Sequence, residues 1–164
     1  MLTRRRILND GVAGLAGLLA AALFRPARGW AAADAQVVHS DGEWRKILTA
    51  DQYAVLREDG TERPFTSPLL HEERAGIFAC AGCELPLFSS KTKFDSGTGW
   101  PSFWAPLDNA VSVKQDDSLG MTRTAVTCQR CGGHLGHVFD DGPKPTGLRY
   151  CMNGLALKFT PGAG

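Results

Sequence analysis

The apolar and polar positions divide the chain into a helical start and a strand-rich body. "DGEWRKIL" (41–48) and "TADQYAVLRED" (49–59) read as two short helices. Asp41 and Thr49 are the expected N-caps, and Thr49 with Gln52 has capping-box spacing. Trp44, Ile47, Leu48, Tyr53, Val55 and Leu56 are the expected core residues of this pair. "GTERPFTSPL" (60–69), polar and with two prolines, predicts a loop. Beyond it come short runs: "GIFAC" (76–80), "LPLF" (85–88), "AVSVKQ" (110–115), "MTRTAVTC" (121–128), "HLGHVF" (134–139), "LRYCM" (148–152) and "LALKF" (155–159). Most alternate or are rich in β-branched and aromatic residues, and Gly and Pro clusters separate them. The pattern predicts a mainly β fold of antiparallel strands with short N-terminal helices.

Composition agrees with one compact domain. The chain has 164 residues, 43% hydrophobic and 21% charged, which is enough to bury a core. Nineteen glycines and nine prolines fit short strands joined by many turns.

The first residues follow a different logic. "TRRRILN" (3–9) is basic, "GVAGLAGLLAAALF" (11–24) is apolar, and "ARGWAAADA" offers small residues for cleavage. These are the three regions of an export signal, and the apolar run is shorter than the ~20 residues of a membrane span. Thr3, Arg4, Arg5, Ile7 and Leu8 resemble a twin-arginine signal. Residues 1–33 are therefore expected to be an export signal; Ala31 and Ala33 suit cleavage after Ala33, and cleavage after Ala35 is nearly as good. Residues 34–40 are then a short linker, and 41–160 the functional domain. The expected location is the periplasm, with no stable membrane insertion after cleavage. Residues 1–33 hold five of the 18 basic residues and one of the 17 acidic ones, so the remainder is mildly acidic. That argues against nucleic acid as a partner, because such binding depends on neutralising phosphates.

Four of the five cysteines form two C-x-x-C knuckles, Cys80/Cys83 and Cys128/Cys131. Gly82 and the pair Gly132 and Gly133 permit tight turns there. Two knuckles supply four sulfurs, which suits one tetrahedral Zn²⁺ whose coordination is closed and whose role is structural. Two disulfides are the competing arrangement in an oxidising compartment. They would span very small loops and constrain the unfolded chain little.

Cys151 is the cysteine left over. In a strand it shares a face with Arg149 and Asn153, while Tyr150 and Met152 point to the core. A guanidinium beside a thiol favours the thiolate, the nucleophilic form. "GGHLGHVFDDG" (132–142) sets His134 and His137 just after a knuckle, and histidine is a natural proton donor. "FDSGTGWPSF" (94–103) places Trp100 and Phe103 in a Gly-rich loop, where they offer an apolar wall for a methyl group.

The doubled C-x-x-C, "SGTGWPSF", "GGHLGHVFDDGP", "PTGLRYCMNG" and "LALKF" together resemble the B-type methionine sulfoxide reductases. The resemblance covers about residues 41–160. It implies a zinc-bearing fold of two antiparallel sheets (a β-tent) and reduction of methionine-R-sulfoxide, in proteins or free. By that resemblance Cys151 attacks the sulfoxide sulfur and becomes a sulfenic acid. The His134/His137 site protonates the oxygen, helped by Asn153. Trp100 holds the ε-methyl group and Arg149 supports the thiolate. In a regular strand His134 and His137, three apart, would lie on opposite faces; a bulge at Gly136 would change that. Which histidine donates stays open at the level of sequence.

The chain departs from the family pattern at Thr98, where many members carry a resolving cysteine. The resemblance then implies that oxidised Cys151 depends on an external thiol, such as a thioredoxin-like protein. A monomer is the default expectation. Two other readings remain at this stage: a non-catalytic zinc-ribbon-like binding module, and a thiol peroxidase using Cys151.

Overall fold

The computed structural model describes residues 36–162. The expected export signal, 1–33, lies outside the described residues.

Helix α1 spans Asp41–Ile47 and helix α2 spans Ala50–Arg57. Ser40, not Asp41, caps α1: its side chain accepts from the Glu43 N–H, and the Glu43 carboxylate accepts from the Ser40 N–H. Asp41 instead opens the first turn, where its charge complements the helix dipole. Thr49 and Gln52 form the expected capping box on α2. Trp44, Leu48, Tyr53, Val55 and Leu56 are buried, but Ile47 remains 51% exposed. Helix α1 has only two turns and buries the line of Trp44 and Leu48, which leaves Ile47 at its edge.

Among the described residues, nine strands make two antiparallel sheets. The smaller has the order β2-β1-β9, with β1 at Gly76–Cys80, β2 at Pro86–Ser89 and β9 at Leu157–Pro161. The larger has the order β3-β4-β8-β7-β6-β5. Its strands are β3 (Lys93–Phe94), β4 (Ser102–Phe103), β5 (Val111–Asp116), β6 (Arg123–Cys128), β7 (His134–Phe139) and β8 (Arg149–Met152). Strands β3 and β4 have two residues each, too few to show an alternation in sequence. Strand β9 starts later than its apolar run because Gly154–Ala156 form a 3₁₀ turn first.

Phe78 and Phe88 of the small sheet meet Phe103 of the large one. Phe88 stacks on Phe103 at 4.4 Å between centroids, and Phe78 meets its edge at 5.0 Å. All three are fully buried, and they bind the sheets into one core. Among the described residues no helix is long and apolar enough to cross a membrane.

Candidate active site and metal centre

Strand β8 carries Cys151 in the middle of the large sheet. Directly opposite it stand His137 on β7 and Ser102 on β4. Residues directly opposite in an antiparallel pair put their side chains on the same face. His137, Cys151 and Ser102 thus form a row across three strands, and Arg149 shares the face two residues earlier. Met152 points the other way and is fully buried, and Tyr150 packs against the core, as parity requires.

The β6–β7 register contains a bulge. His134 pairs with Thr127, Gly136 with Val126, and His137 with Ala125. The extra residue, Leu135, resets the alternation, so His134 and His137 fall on one face although they are three apart. Their rings meet edge to face at 5.3 Å. A Cβ at Gly136 would lie 2.1 Å from the Cys151 carbonyl oxygen, so only glycine lets β7 and β8 approach this closely.

The face opens into a cavity of about 160 Å³ that Cys151 and His137 line. Its apolar walls are Trp100 and Phe139. The Trp100 indole N–H donates to the Glu62 carbonyl at 3.1 Å, which fixes the ring's tilt. The Arg149 guanidinium lies over the Phe139 ring, 4.4 Å from its centroid. Phe103 is not part of this wall. Its neighbour Ser102 faces Cys151, so Phe103 must face the opposite side, where it is fully buried in the aromatic core. Phe139 takes the place that the sequence suggested for Phe103.

Charged groups brace the row. Asp116 on β5 receives His137 Nε2 at 2.7 Å and Arg123 at 2.8 Å. Bonds from Ser118 and then His137 hold the Asp116 carboxyl well below the usual carboxylate range. Arg149 makes a two-pronged bond to Asp141 at 2.8 and 2.7 Å. The Asp141 carboxylate, and next the nearby Cys151 sulfur, hold Arg149 above its ordinary range. His134 differs: it is 2% exposed, and neither ring nitrogen has a hydrogen-bond partner. Burial pushes its pKa down to about 4, so it is neutral at pH 7. Asp59, 3.9 Å from Nδ1, pulls the other way, but it is largely in water and burial prevails.

Asn153 lies just past the end of β8. It lines the cavity but is only 3% exposed. Its amide N–H donates to the Leu135 carbonyl at 3.1 Å, and its oxygen accepts from the Glu62 N–H at 2.9 Å. Both ends are committed to backbone, so Asn153 holds the bulge and the 60–69 loop in place. Glu62, unmarked in the sequence, completes that clamp: its carboxylate accepts the backbone N–H groups of Gly154 and Leu155. Burial raises the Glu62 pKa, and those two N–H bonds oppose the rise.

The four knuckle sulfurs all lie within 4.8 Å of one another. Cys80 and Cys131 are 3.7 Å apart, and Cys83 and Cys128 are 3.5 Å apart. The edge of a tetrahedron with Zn–S bonds of 2.3 Å is about 3.8 Å, so the set fits a tetrahedral ion. All are free thiols. The two knuckles share one backbone pattern. Cys80 N donates to Leu85 O and Glu84 N to Cys80 O; Cys128 N donates to Gly133 O and Gly132 N to Cys128 O. The left-handed residues are Glu84 (φ 58°) and Gly132 (φ 69°), so in the first knuckle Glu84, not Gly82, makes the turn. Cys80 ends β1 and Cys128 ends β6, so an ion here ties one sheet to the other.

A family model described as the SelR domain matches residues 48–161. The chain is 58% identical over 120 residues to the peptide methionine sulfoxide reductase MsrB of Pseudomonas putida (strain W619), covering 73% of this chain and 90% of that protein. It is 54% identical over 127 residues to the protein of that name from Agrobacterium fabrum, covering 77% and 94%. The likeness extends to Methanosarcina barkeri, at 54% over 124 residues, covering 75% and 87%.

Proposed function

The chain belongs to the SelR-domain family, and from that premise we propose that it reduces methionine-R-sulfoxide to methionine with Cys151 as nucleophile. The observation that carries the assignment of roles is the row in which His137 stands opposite Cys151 beside a cavity walled by Trp100 and Phe139.

The chemistry follows from the row. The Cys151 thiolate attacks the sulfoxide sulfur, and a proton passes to the sulfoxide oxygen. The protonated oxygen then shifts from the substrate sulfur to the Cys151 sulfur as the S–S bond of the adduct breaks; methionine leaves with that bonding pair, and Cys151 is left as a sulfenic acid. His137 is the donor in this reading, supported by its place opposite Cys151 and by its bond to Asp116, which fixes the ring beside the sulfur. His134, neutral and enclosed, packs against His137 and orients it. Arg149 offsets the thiolate charge, and the indole of Trp100 receives the methyl group.

The sulfenic acid is then reduced from outside. One thiol displaces water to give a mixed disulfide, and a second thiol releases Cys151. A thioredoxin-like protein suits both steps, and the basic-apolar-small leader supports a periplasmic location. Zn²⁺ is the ion the four thiolates suit best; its closed site serves structure. The substrate is oxidised methionine in proteins, for which an open cleft leaves room. A non-catalytic zinc-ribbon-like module is not favoured, since such a module needs neither the histidine pair nor the walled cavity. The test is an assay with resolved sulfoxide diastereomers: the R form should turn over, the S form should not, and Cys151→Ser should abolish turnover with its metal content intact.

A further inference from the structure

A row of hydroxyls leads away from the Cys151 sulfur. Thr98 Oγ1 lies 3.7 Å from Cys151 Sγ, Ser96 Oγ lies 2.8 Å from Thr98 Oγ1, and Ser102 Oγ lies 2.7 Å from Ser96 Oγ. The row ends at the Trp100 carbonyl oxygen, 3.1 Å from Ser102 Oγ. Ser102 is fully buried, so bulk water does not break the row at its inner end.

Proton counting gives the row a direction. Each hydroxyl has one proton to donate and can also accept. With Cys151 as a thiol, four protons fill four gaps: sulfur to Thr98, Thr98 to Ser96, Ser96 to Ser102, and Ser102 to the Trp100 carbonyl. With Cys151 as a thiolate, three protons remain for four gaps. The sulfur then needs a donor, and opposed lone pairs cost least across the longest O···O contact, that to Trp100. Thr98 therefore turns toward the sulfur, Ser96 toward Thr98, and Ser102 toward Ser96.

We propose that Thr98, Ser96 and Ser102 form a reversible hydrogen-bond relay that stabilises the Cys151 thiolate and reports its charge to the backbone of Trp100. The proton Cys151 loses leaves through the cleft, to water or His137. None travels along the row, whose O–H groups only rotate. Thr98 is thus a positioning residue for the thiolate. The relay also links ionisation of the nucleophile to the residue that walls the cavity. Other charged groups face the sulfur independently: Arg149 on its own strand with Asp141 behind it, His137 on β7 with Asp116 behind it on β5, and Arg123 on β6. Substitutions in the row leave all of these in place.

The inference rests on Cys151 being the nucleophile, but its test needs no sulfoxide, so its failure is separable from failure of the reductase reading. The full chain is alkylated with iodoacetamide across pH, with Cys151→Ser as the blank for the other thiols. Thr98→Val should raise the midpoint of Cys151 alkylation by about one pH unit, a roughly ten-fold slower reaction on its acid side. Thr98→Ser should restore the midpoint. Trp100–Pro101 is the chain's only Trp–Pro step, so ¹³C-carbonyl Trp with ¹⁵N Pro isolates the Trp100 carbonyl by NMR. That resonance should titrate with the alkylation midpoint. In Ser96→Ala it should stand still while Cys151 continues to ionise. A Thr98→Val profile that superimposes on the parent, or a Trp100 carbonyl indifferent to Cys151 ionisation, would overturn the proposal.

Discussion

The Thr98 hydroxyl stands 3.7 Å from the Cys151 sulfur, at the position where many proteins of this family carry a resolving cysteine. The remaining four cysteines form a metal-binding set that ties the sheets together. Cys151 therefore has no thiol partner assigned to it within the described residues. After one equivalent of sulfoxide and no reductant, mass spectrometry should find a sulfenic acid at Cys151. Thr98→Cys should instead give a disulfide to Cys151 in the same experiment. A disulfide between Cys151 and a knuckle cysteine as the main parent product would refute this account.

The metal centre makes a separate prediction. Metal analysis should give one zinc per chain. Cys128→Ser should lose the ion and unfold far below the parent's melting temperature, because binding energy at such a site is folding energy. Cys151→Ser should keep both metal and melting temperature. Loss of zinc on Cys151→Ser would contradict the division of the thiols.

Two phenylalanines should separate packing from substrate binding. Phe103→Leu should cost about 1–2 kcal/mol of stability, as expected for a shape change in a packed core, with KM within about two-fold. Phe139→Leu should raise KM several-fold with stability within about 0.5 kcal/mol. Urea unfolding and steady-state kinetics check both, and the reverse pattern would restore Phe103 to the site.

His134 gives the fold a pH dependence. Its pKa falls from the ordinary 6.5 to about 4 through burial. Between those values the unfolded chain binds a proton that the fold refuses, so stability drops as pH falls from 6.5 toward 4. The loss is at most about 3 kcal/mol. Metal-site thiolates lose stability in acid in the same direction, so the informative comparison is His134→Gln at equal zinc content. The parent should lose more stability than the variant between about pH 7 and about pH 5 in urea titrations. Equal losses would mean that His134 is charged in the fold.

Local chemistry was legible in the sequence. The doubled C-x-x-C marks a metal site, and strand parity alone sets Arg149 on the face of Cys151. The clamp around the site was not legible, because its contacts are distant in sequence. Glu62 reaches Gly154 across 92 positions, and His137 reaches Asp116 across 21. Neither acid sits in a pattern that marks it. Phe103 was misplaced because β4 has only two residues, so no alternation revealed which face it takes. Gly136 did signal the bulge, but only the register shift on β6 shows that it joins the two histidines. Two parts of the sequence reading, the export signal and the external reductant, concern what lies beyond this fold.

If Cys151 is the nucleophile of a stereospecific methionine sulfoxide reductase, one turnover suffices to reveal it. The most direct measurement is single turnover of the zinc-loaded protein with separated methionine sulfoxide diastereomers in a peptide, parent against Cys151→Ser. The R form should give one equivalent of methionine, the S form none, and Cys151→Ser none from either. Equal conversion of both forms, or an undiminished yield with Cys151→Ser, would contradict this role for Cys151.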